Sequence, residues 1–281
     1  MDIFAGLDEL GFENIEIEDI YAEPEIIAHE EKKMKKPDKV VNEADLLFDK
    51  GYVCPACDMK FRAKTVRTGK YRLVSIDQDL KPRYDVIEPL KYEVILCNNC
   101  GFTATSRYFV SLAPSQRKMI KEKISANYKP RKDVKDTYSY DEAISKYKLA
   151  LLCAVVKNAH ASEKAYNCLK AGWLVRSYIE SLEQEDISDE KKINELKALE
   201  NDFLEKAYNG LITAMEHEVF PICGMDEYTL KILIAVLAKR FNHMDIASKL
   251  IADILSSRTC TSRIKDRARD LKDEILNMKK Q

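Results

Sequence analysis

The sequence predicts an α+β protein that is mostly α-helical, with a small antiparallel β-ribbon first and a helical domain after it. Three observations predict this fold class. Apolar residues recur with a period near two in short runs before about Leu112, and with a period near 3.6 after it. The chain is 33% charged with only eight Gly and eight Pro, which favours long amphipathic helices. Two C-x-x-C pairs, at 54–57 and 97–100, lie in its first 100 residues.

The chain is long enough for two domains, and its charge is unevenly distributed. Of its 281 residues 46% are hydrophobic, so a sizeable core can be buried. Residues 1–31 contain eleven Asp or Glu and no Lys or Arg, so the rest of the chain carries a net charge of +10. We expect residues 1–47 to form an acidic, disordered tail, apart from a brief helix around Ile3–Leu10. The alternative is a tail that folds back and masks a basic face.

The location that the sequence favours is the cytoplasm. No run approaches the roughly 18 apolar residues that a membrane span requires, so no membrane contact is expected. The first 20 residues have neither the basic region nor the apolar region of a signal peptide. In the cytoplasm thiols stay reduced, and paired cysteines there are more often metal ligands than disulfides.

The two C-x-x-C pairs predict one structural zinc site. Cysteines three apart around a tight turn can direct both sulfurs to one metal, and two such pairs complete a tetrahedral set. Gly101 follows the second pair and takes a left-handed conformation at no steric cost, and Asp58 after the first pair tolerates that region. Four thiolates leave no open coordination position, so the role is structural. The predicted ligands are Cys54, Cys57, Cys97 and Cys100.

Short alternating runs between the pairs predict strands. They are MKFRAKTVR, YRLVSID and LKYEVIL, and in the last one Tyr92, Val94 and Leu96 share a face. Two knuckles flanking a small antiparallel sheet make residues 48–110 a zinc ribbon with a long insertion. A redox dithiol is the first alternative, but such motifs begin a helix, whereas strand-like sequence follows Cys57. An iron–sulfur cluster is the second, and the ribbon context favours zinc.

Residues 111–281 are predicted to be helical. Ser139 with Glu142 forms a capping box, and Asp226 caps a later helix. The stretch EQEDISDE is the clearest loop between helices. Four more cysteines fall on apolar helical faces or near helix ends, and we expect none of them to bind metal; they are Cys153, Cys168, Cys223 and Cys260.

A small-large pattern recurs on the helices and suggests stacked helix pairs. Three sets share the same four-then-three spacing: Ala143/Tyr147/Ala150, Ala207/Leu211/Ala214 and Ala247/Ile251/Ile254. A small residue lets the partner helix approach closely. With Asn242 at a turn, this resembles the tetratricopeptide helix–turn–helix, although the spacing of the sets departs from its period of about 34 residues. A generic helical bundle is the alternative.

Several segments together resemble the bacterial domain-of-unknown-function family 2225. They are CPAC with the basic run KFRAKTVRTGKYRL, the strand into CNNCGF, EAISKYKLALLC, FPICGMDEYTL and RIKDRARDLKDEI. The resemblance covers roughly residues 48–278 and implies a zinc ribbon fused to tetratricopeptide-like helices. One departure is CNNC, where other members have Pro after the first Cys. The family implies no activity.

The favoured function is a non-enzymatic, zinc-binding adaptor whose helical domain binds a partner protein. The alternative is a nucleic-acid-binding regulator, because residues 59–72 hold six basic residues, no acid and the aromatics Phe61 and Tyr71. The residues for that role are Lys60, Arg62, Lys64, Arg67, Lys70 and Arg72. An enzyme is disfavoured, since no phosphate loop, dinucleotide fingerprint, zinc-protease or serine-hydrolase motif is present. Trp173 is expected to mark close helix packing rather than a ligand pocket.

Overall fold

The computed structural model describes residues 42–130, 136–184 and 189–278, which belong to one compact unit, Val41–Gln281. It confirms the α+β, mostly α-helical class: in the described part of the chain, six short strands precede seven helices. Of the disordered tail expected over residues 1–47, residues 1–41 lie outside the described residues, and so does the helix expected at Ile3–Leu10. The last residues of that expected tail are ordered, since Glu43–Leu46 forms a 3-10 turn and Leu47 begins the first strand. The predicted boundaries at 47/48 and 110/111 stay predictions.

The strands form three separate antiparallel hairpins. Their bounds are β1 Leu47–Val53, β2 Lys60–Val66, β3 Leu73–Ile76, β4 Pro82–Tyr84, β5 Val94–Leu96 and β6 Thr103–Thr105. They pair as β1–β2, β3–β4 and β5–β6, with Val53 opposite Lys60 and Leu96 opposite Thr103 at the two cysteine-bearing turns. The expected single sheet between the knuckles is therefore wrong. Each knuckle is the tip of its own hairpin, because residues on either side of each C-x-x-C pair fold back on each other.

The strand predicted over LKYEVIL is only half present. Pro89–Tyr92 forms a 3-10 turn, and the strand β5 begins at Val94. The ring of Pro89 fixes its φ angle near the value of a first helical residue. The Glu88 side chain accepts a hydrogen bond from the Leu90 amide and caps the turn. This local cap overrides the alternating pattern of apolar residues.

The helices are α1 Pro114–Ile120, α2 Tyr140–Val156, α3 Ala161–Gln184, α4 Glu190–His217, α5 Glu227–Arg240, α6 Met244–Ser256 and α7 Ser262–Met278. A π-helical turn, Lys121–Ser125, continues α1. Both predicted caps are confirmed: the Ser139 hydroxyl accepts from the Glu142 amide at 3.2 Å, and Asp226 accepts from the Thr229 amide at 2.8 Å. The predicted loop is shorter than EQEDISDE, since α3 extends to Gln184 and α4 begins at Glu190.

All three small-large sets are buried where helices meet, with no member more than 2% exposed. The closest approach is at Gly172 of α3, where an added Cβ would lie 2.7 Å from Cδ2 of Leu204 on α4. Asn242, between α5 and α6, adopts a left-handed conformation with φ of 62°. These features agree with paired helices, while the tetratricopeptide likeness stays a prediction.

Two cores meet at α2. One face of α2 contributes Ala143, Ile144 and Tyr147 to the large core of the helices. The other contributes Cys153 to a smaller core that contains the predicted zinc ligands and Phe102. The cysteine-bearing hairpins are thus packed directly on the helical part. No helix in the described ranges is long and apolar enough to span a bilayer.

Candidate metal centre and the charged network beside it

Both C-x-x-C turns have the same backbone geometry. In the first, the Asp58 amide donates to the Cys54 carbonyl at 2.9 Å, and in the second, the Gly101 amide donates to the Cys97 carbonyl at 2.8 Å. Asp58 and Gly101 occupy the left-handed region, with φ of 60° and 76°, as the sequence predicted. An added Cβ on Gly101 would lie 2.5 Å from the Tyr128 ring, so this position also requires a residue without a side chain.

The two turns face each other and bring four sulfurs together. All four Sγ atoms lie within 4.8 Å of one another, and the closest contacts join the two turns: Cys54–Cys100 at 3.6 Å and Cys57–Cys97 at 3.7 Å. A disulfide would need about 2.05 Å. A tetrahedral zinc site with Zn–S bonds of about 2.3 Å needs sulfurs about 3.8 Å apart. The cluster therefore has the dimensions to hold one metal ion.

The cluster is shielded from solvent, and hydrogen bonds to sulfur favour thiolate ligands. Cys54 and Cys97 are fully buried, and Cys100 is nearly so. The Ala56 amide donates to Sγ of Cys54 at 3.4 Å, and the Asn99 side-chain amide donates to Sγ of Cys57 at 3.5 Å. N–H groups directed at sulfur orient and stabilise a metal-bound thiolate.

The clustered thiols set one another's pKa values. Hydrogen bonds from the Cys100 and Cys54 thiols lower the pKa of Cys97 to about 2. Hydrogen bonds with Cys54 and Cys97 raise the pKa of Cys100. For Cys54 the bond with Cys100 lowers the pKa, but the bond with Cys97 and burial outweigh it and raise the pKa to about 12. Hydrogen bonds within the cluster thus link the ionisation of these three thiols, and a divalent cation would favour the thiolate form of all four.

Helices α1 and α2 support the two turns from outside. The Arg117 guanidinium of α1 makes a two-pronged ion pair with Asp58, at 2.8 and 3.0 Å. The Cys153 thiol of α2 donates to the Gly101 carbonyl at 3.8 Å. Of the other cysteines, the Cys223 thiol donates to the Ser162 carbonyl, and Cys168 and Cys260 are buried elsewhere. Among the described residues, the four predicted cysteines make up the group that can hold a metal.

The segment between the cysteine pairs is attached to the helices by a charged network that the sequence analysis missed. Arg83 of β4 pairs with Asp77 at 2.7 Å and with Glu180 of α3. Lys81, whose side chain is 1% exposed, lies 3.9 Å from Glu88 and 4.0 Å from Glu180. Burial lowers the pKa of Lys81, and these carboxylates oppose that effect. Glu180 and Asp77 raise the pKa of Arg83 through hydrogen bonds.

Arg176 of α3 is the most connected residue of this network. It donates to Asp79 at 2.6 Å and to Glu200 of α4 at 2.9 Å. Trp173, one turn earlier on α3, donates its indole N–H to Asp79 at 3.2 Å. Trp173 therefore does lie in close packing, and it also binds the turn between β3 and β4. The signal in the sequence was the charge density of DQDLKPRYD, residues 77–85.

The six basic residues proposed for nucleic-acid binding differ in their exposure and in their bonds to other residues. Five of them are exposed: Lys60, Arg62, Arg67, Lys70 and Arg72. Lys64 pairs with Asp49 at 3.2 Å, and Arg67 donates to the Leu47 carbonyl at 3.0 Å.

The two aromatics of that segment pack on other rings. Phe61 stacks on Tyr52 at 5.9 Å, and Tyr71 contacts Tyr84 at 5.1 Å. A nucleic-acid surface on this ribbon would therefore rest on five exposed cations, of which Arg67 already bonds to a backbone carbonyl, and on the rims of packed rings.

Comparison with known proteins identifies one family. The profile described as "Uncharacterized protein conserved in bacteria (DUF2225)" matches residues 47–275, which include the four cysteines and all seven helices except the last turn of α7. No curated protein and no solved structure matches the chain.

Proposed function

The chain belongs to the DUF2225 family, and we propose that it is a zinc-stabilised, non-enzymatic adaptor that binds a partner protein in the cytoplasm. The observation that carries the metal part is the set of four sulfurs within 4.8 Å on two matching turns. A site of four thiolates favours zinc over harder ions such as Mg²⁺ or Ca²⁺. It leaves no position for a substrate, so its role is to hold the two hairpins together.

The adaptor part rests on the helices. α3 packs along α4, and α5 packs along α6 through a tight turn at Asn242. Stacked helix pairs of this kind present extended surfaces to partner proteins. The eight cysteines are all free thiols, which suits a reducing cytoplasm. Oxidation of the four clustered cysteines would prevent them from binding zinc.

Metal content tests the zinc site. Purified wild-type protein should contain one equivalent of zinc, and Cys97→Ser should lose it and lose ordered structure in the β-hairpins while most helical circular dichroism remains. Cys260→Ser is the matched control, because the same exchange at a buried cysteine outside the cluster should retain zinc. Unchanged zinc content in Cys97→Ser would refute the four-ligand site.

A pull-down from lysate, with and without nuclease, tests the adaptor and its alternative. A reproducible protein partner that survives nuclease supports the adaptor. Partners lost on nuclease treatment support the nucleic-acid-binding regulator, which the exposed Lys60 and Arg62 favour. In that case Lys60→Ala/Arg62→Ala should weaken binding and reduce its salt dependence, because phosphate contacts release counterions.

A further inference from the structure

Strand β3 is an exposed apolar edge. Among the described residues it pairs only with β4, so its other edge has no strand partner. Three of its four side chains are large and apolar, and they are strongly exposed: Leu73 at 53%, Val74 at 60% and Ile76 at 42%. Folded proteins ordinarily protect such edges with charges or proline, and β3 contains neither.

The edge borders a groove with a basic wall. The groove between β3 and α7 has a volume of about 480 Å³ and is lined by Leu73, Val74, Ser75, Ile76, Gln78, Arg263 and Arg267. We call it the β3–α7 groove. Arg267 donates to the carbonyls of Asp77 and Gln78, at 3.1 and 3.3 Å, which fixes α7 beside the hairpin.

The two arginines of this wall lack acidic partners within the described part of the chain. The ion pairs of α7 there are Lys239–Glu274 and Arg269–Asp266, and neither Arg263 nor Arg267 takes part. They lie one turn apart on α7, where like charges repel. Burial and the charge of Arg263 both lower the pKa of Arg267. A negative charge in the groove would relieve this repulsion.

We infer that the β3–α7 groove binds an extended, acidic segment of a partner protein, which adds to β3 as a further strand. An extended chain satisfies the open backbone edge, alternate aliphatic side chains cover Val74 and Ile76, and carboxylates reach Arg263 and Arg267. A helix would leave the edge of β3 unpaired. A nucleic acid would meet the arginines but not bury three aliphatic side chains. This inference rests on the adaptor part of the proposed function and names the class of partner.

A labelled peptide tests the groove directly. The probe is a blocked hexapeptide of alternating valine and glutamate, measured by fluorescence anisotropy on the full chain. Val74→Ser and Arg263→Glu should each weaken its binding about five-fold or more. Both side chains are exposed, so zinc content and circular dichroism should stay at the wild-type level. Lys249→Glu, an exposed charge reversal on α6 outside the groove, should bind as the wild type does.

The possible results distinguish failure of the groove inference from failure of the adaptor proposal. No binding of the acidic hexapeptide, equal binding by the two groove variants, or equal binding of a valine–lysine hexapeptide would each overturn the inference. A concentration-dependent dimer that Val74→Ser disperses would assign the edge to a second copy of the chain and also overturn it. If Val74→Ser still captures the nuclease-resistant partner of the wild type, the groove fails and the adaptor stands. If the peptide binds but no such partner exists, the adaptor fails and the inference of a partner protein fails with it, while the preference of the groove for an acidic strand is shown.

Discussion

Replacing Arg176 with alanine tests whether buried charge holds the segment between the cysteine pairs on the helices. Arg176 projects from α3 and pairs with three acidic groups. Two of them, Asp77 at 3.4 Å and Asp79 at 2.6 Å, lie between β3 and β4, and the third, Glu200 at 2.9 Å, lies on α4. The substitution removes this bridge and leaves all three carboxylates in place.

The expected loss of stability follows from burial. The side chain of Arg176 is 17% exposed, and those of Asp79 and Glu200 are 7% and 8% exposed. Breaking a buried pair by removing one partner costs about 3–5 kcal/mol, because the remaining charge stays desolvated. Glu200 keeps Arg240 at 3.0 Å, and Asp79 keeps the Trp173 indole at 3.2 Å. We therefore expect the low end of that range, about 3 kcal/mol.

Urea unfolding of the zinc-loaded protein, followed by circular dichroism, measures this loss. A double-mutant cycle with Asp79→Ala isolates the pair, and the second substitution should cost about 2 kcal/mol less in the first background. Lys197→Ala is the control: its ion pair with Glu183 spans 4.0 Å and both side chains are more than half exposed, so the change should stay below about 0.5 kcal/mol. A loss below about 1 kcal/mol for Arg176→Ala would refute the docking role of the network.

Three further predictions follow from single positions. Gly101→Ala should reduce zinc content by displacing the ring that packs on this glycine, whereas Gly69→Ala, with a similar φ of 80° but open space around it, should not. Gly172→Ala should destabilise the chain by about 1–3 kcal/mol in urea, because its Cβ would overlap Leu204 of the facing helix. Burial raises the pKa of Asp77, but the hydrogen bond and charge of Arg83 outweigh it and hold the pKa below 3.8. Asp77 therefore contributes stability that is fully present above its ordinary pKa and is lost as the pH falls through the lower pKa of the folded state. Asp77→Asn should accordingly reduce the change of the urea midpoint with pH below about pH 4. An unchanged acid dependence in that variant would contradict the assignment.

Features that depend on residues close together in the sequence could be predicted. The C-x-x-C pairs, the left-handed positions at Asp58 and Gly101, and the caps at Ser139 and Asp226 each depend on residues within a few positions of one another. The apolar stripes on the helices are equally local, since 3.6 residues return to the same face. In such features the local preference agrees with the global fold, so the sequence signals them without knowledge of tertiary contacts.

The charged network could not be predicted, because its contacts join distant segments. Arg83 and Glu180 are 97 residues apart in the sequence. Taken alone, each is a charged residue of the kind that is ordinarily solvated at the surface. Only the docked fold shows that the charges in DQDLKPRYD face helices instead of water. The 3-10 turn at Pro89 was missed for a different reason. There the apolar alternation was real, but a proline and a capping glutamate determined the local backbone.

The network also changes what zinc has to contribute. Cys57 and Cys97 are 40 positions apart, and closing a free loop of that length costs about 3 kcal/mol of chain entropy. Here Arg83 and Arg176 fix the intervening segment on α3, which shortens the free loop that a metal would have to close. A bound zinc ion would then act mainly on the local order of the two hairpin tips and on the core they share with α2. Removal of zinc should therefore expose Phe102 and the Cys153 face of α2 while α3 to α7 keep their hydrogen-exchange protection. Equal loss of protection throughout the helices would mean that the metal, and not the network, holds the two parts together.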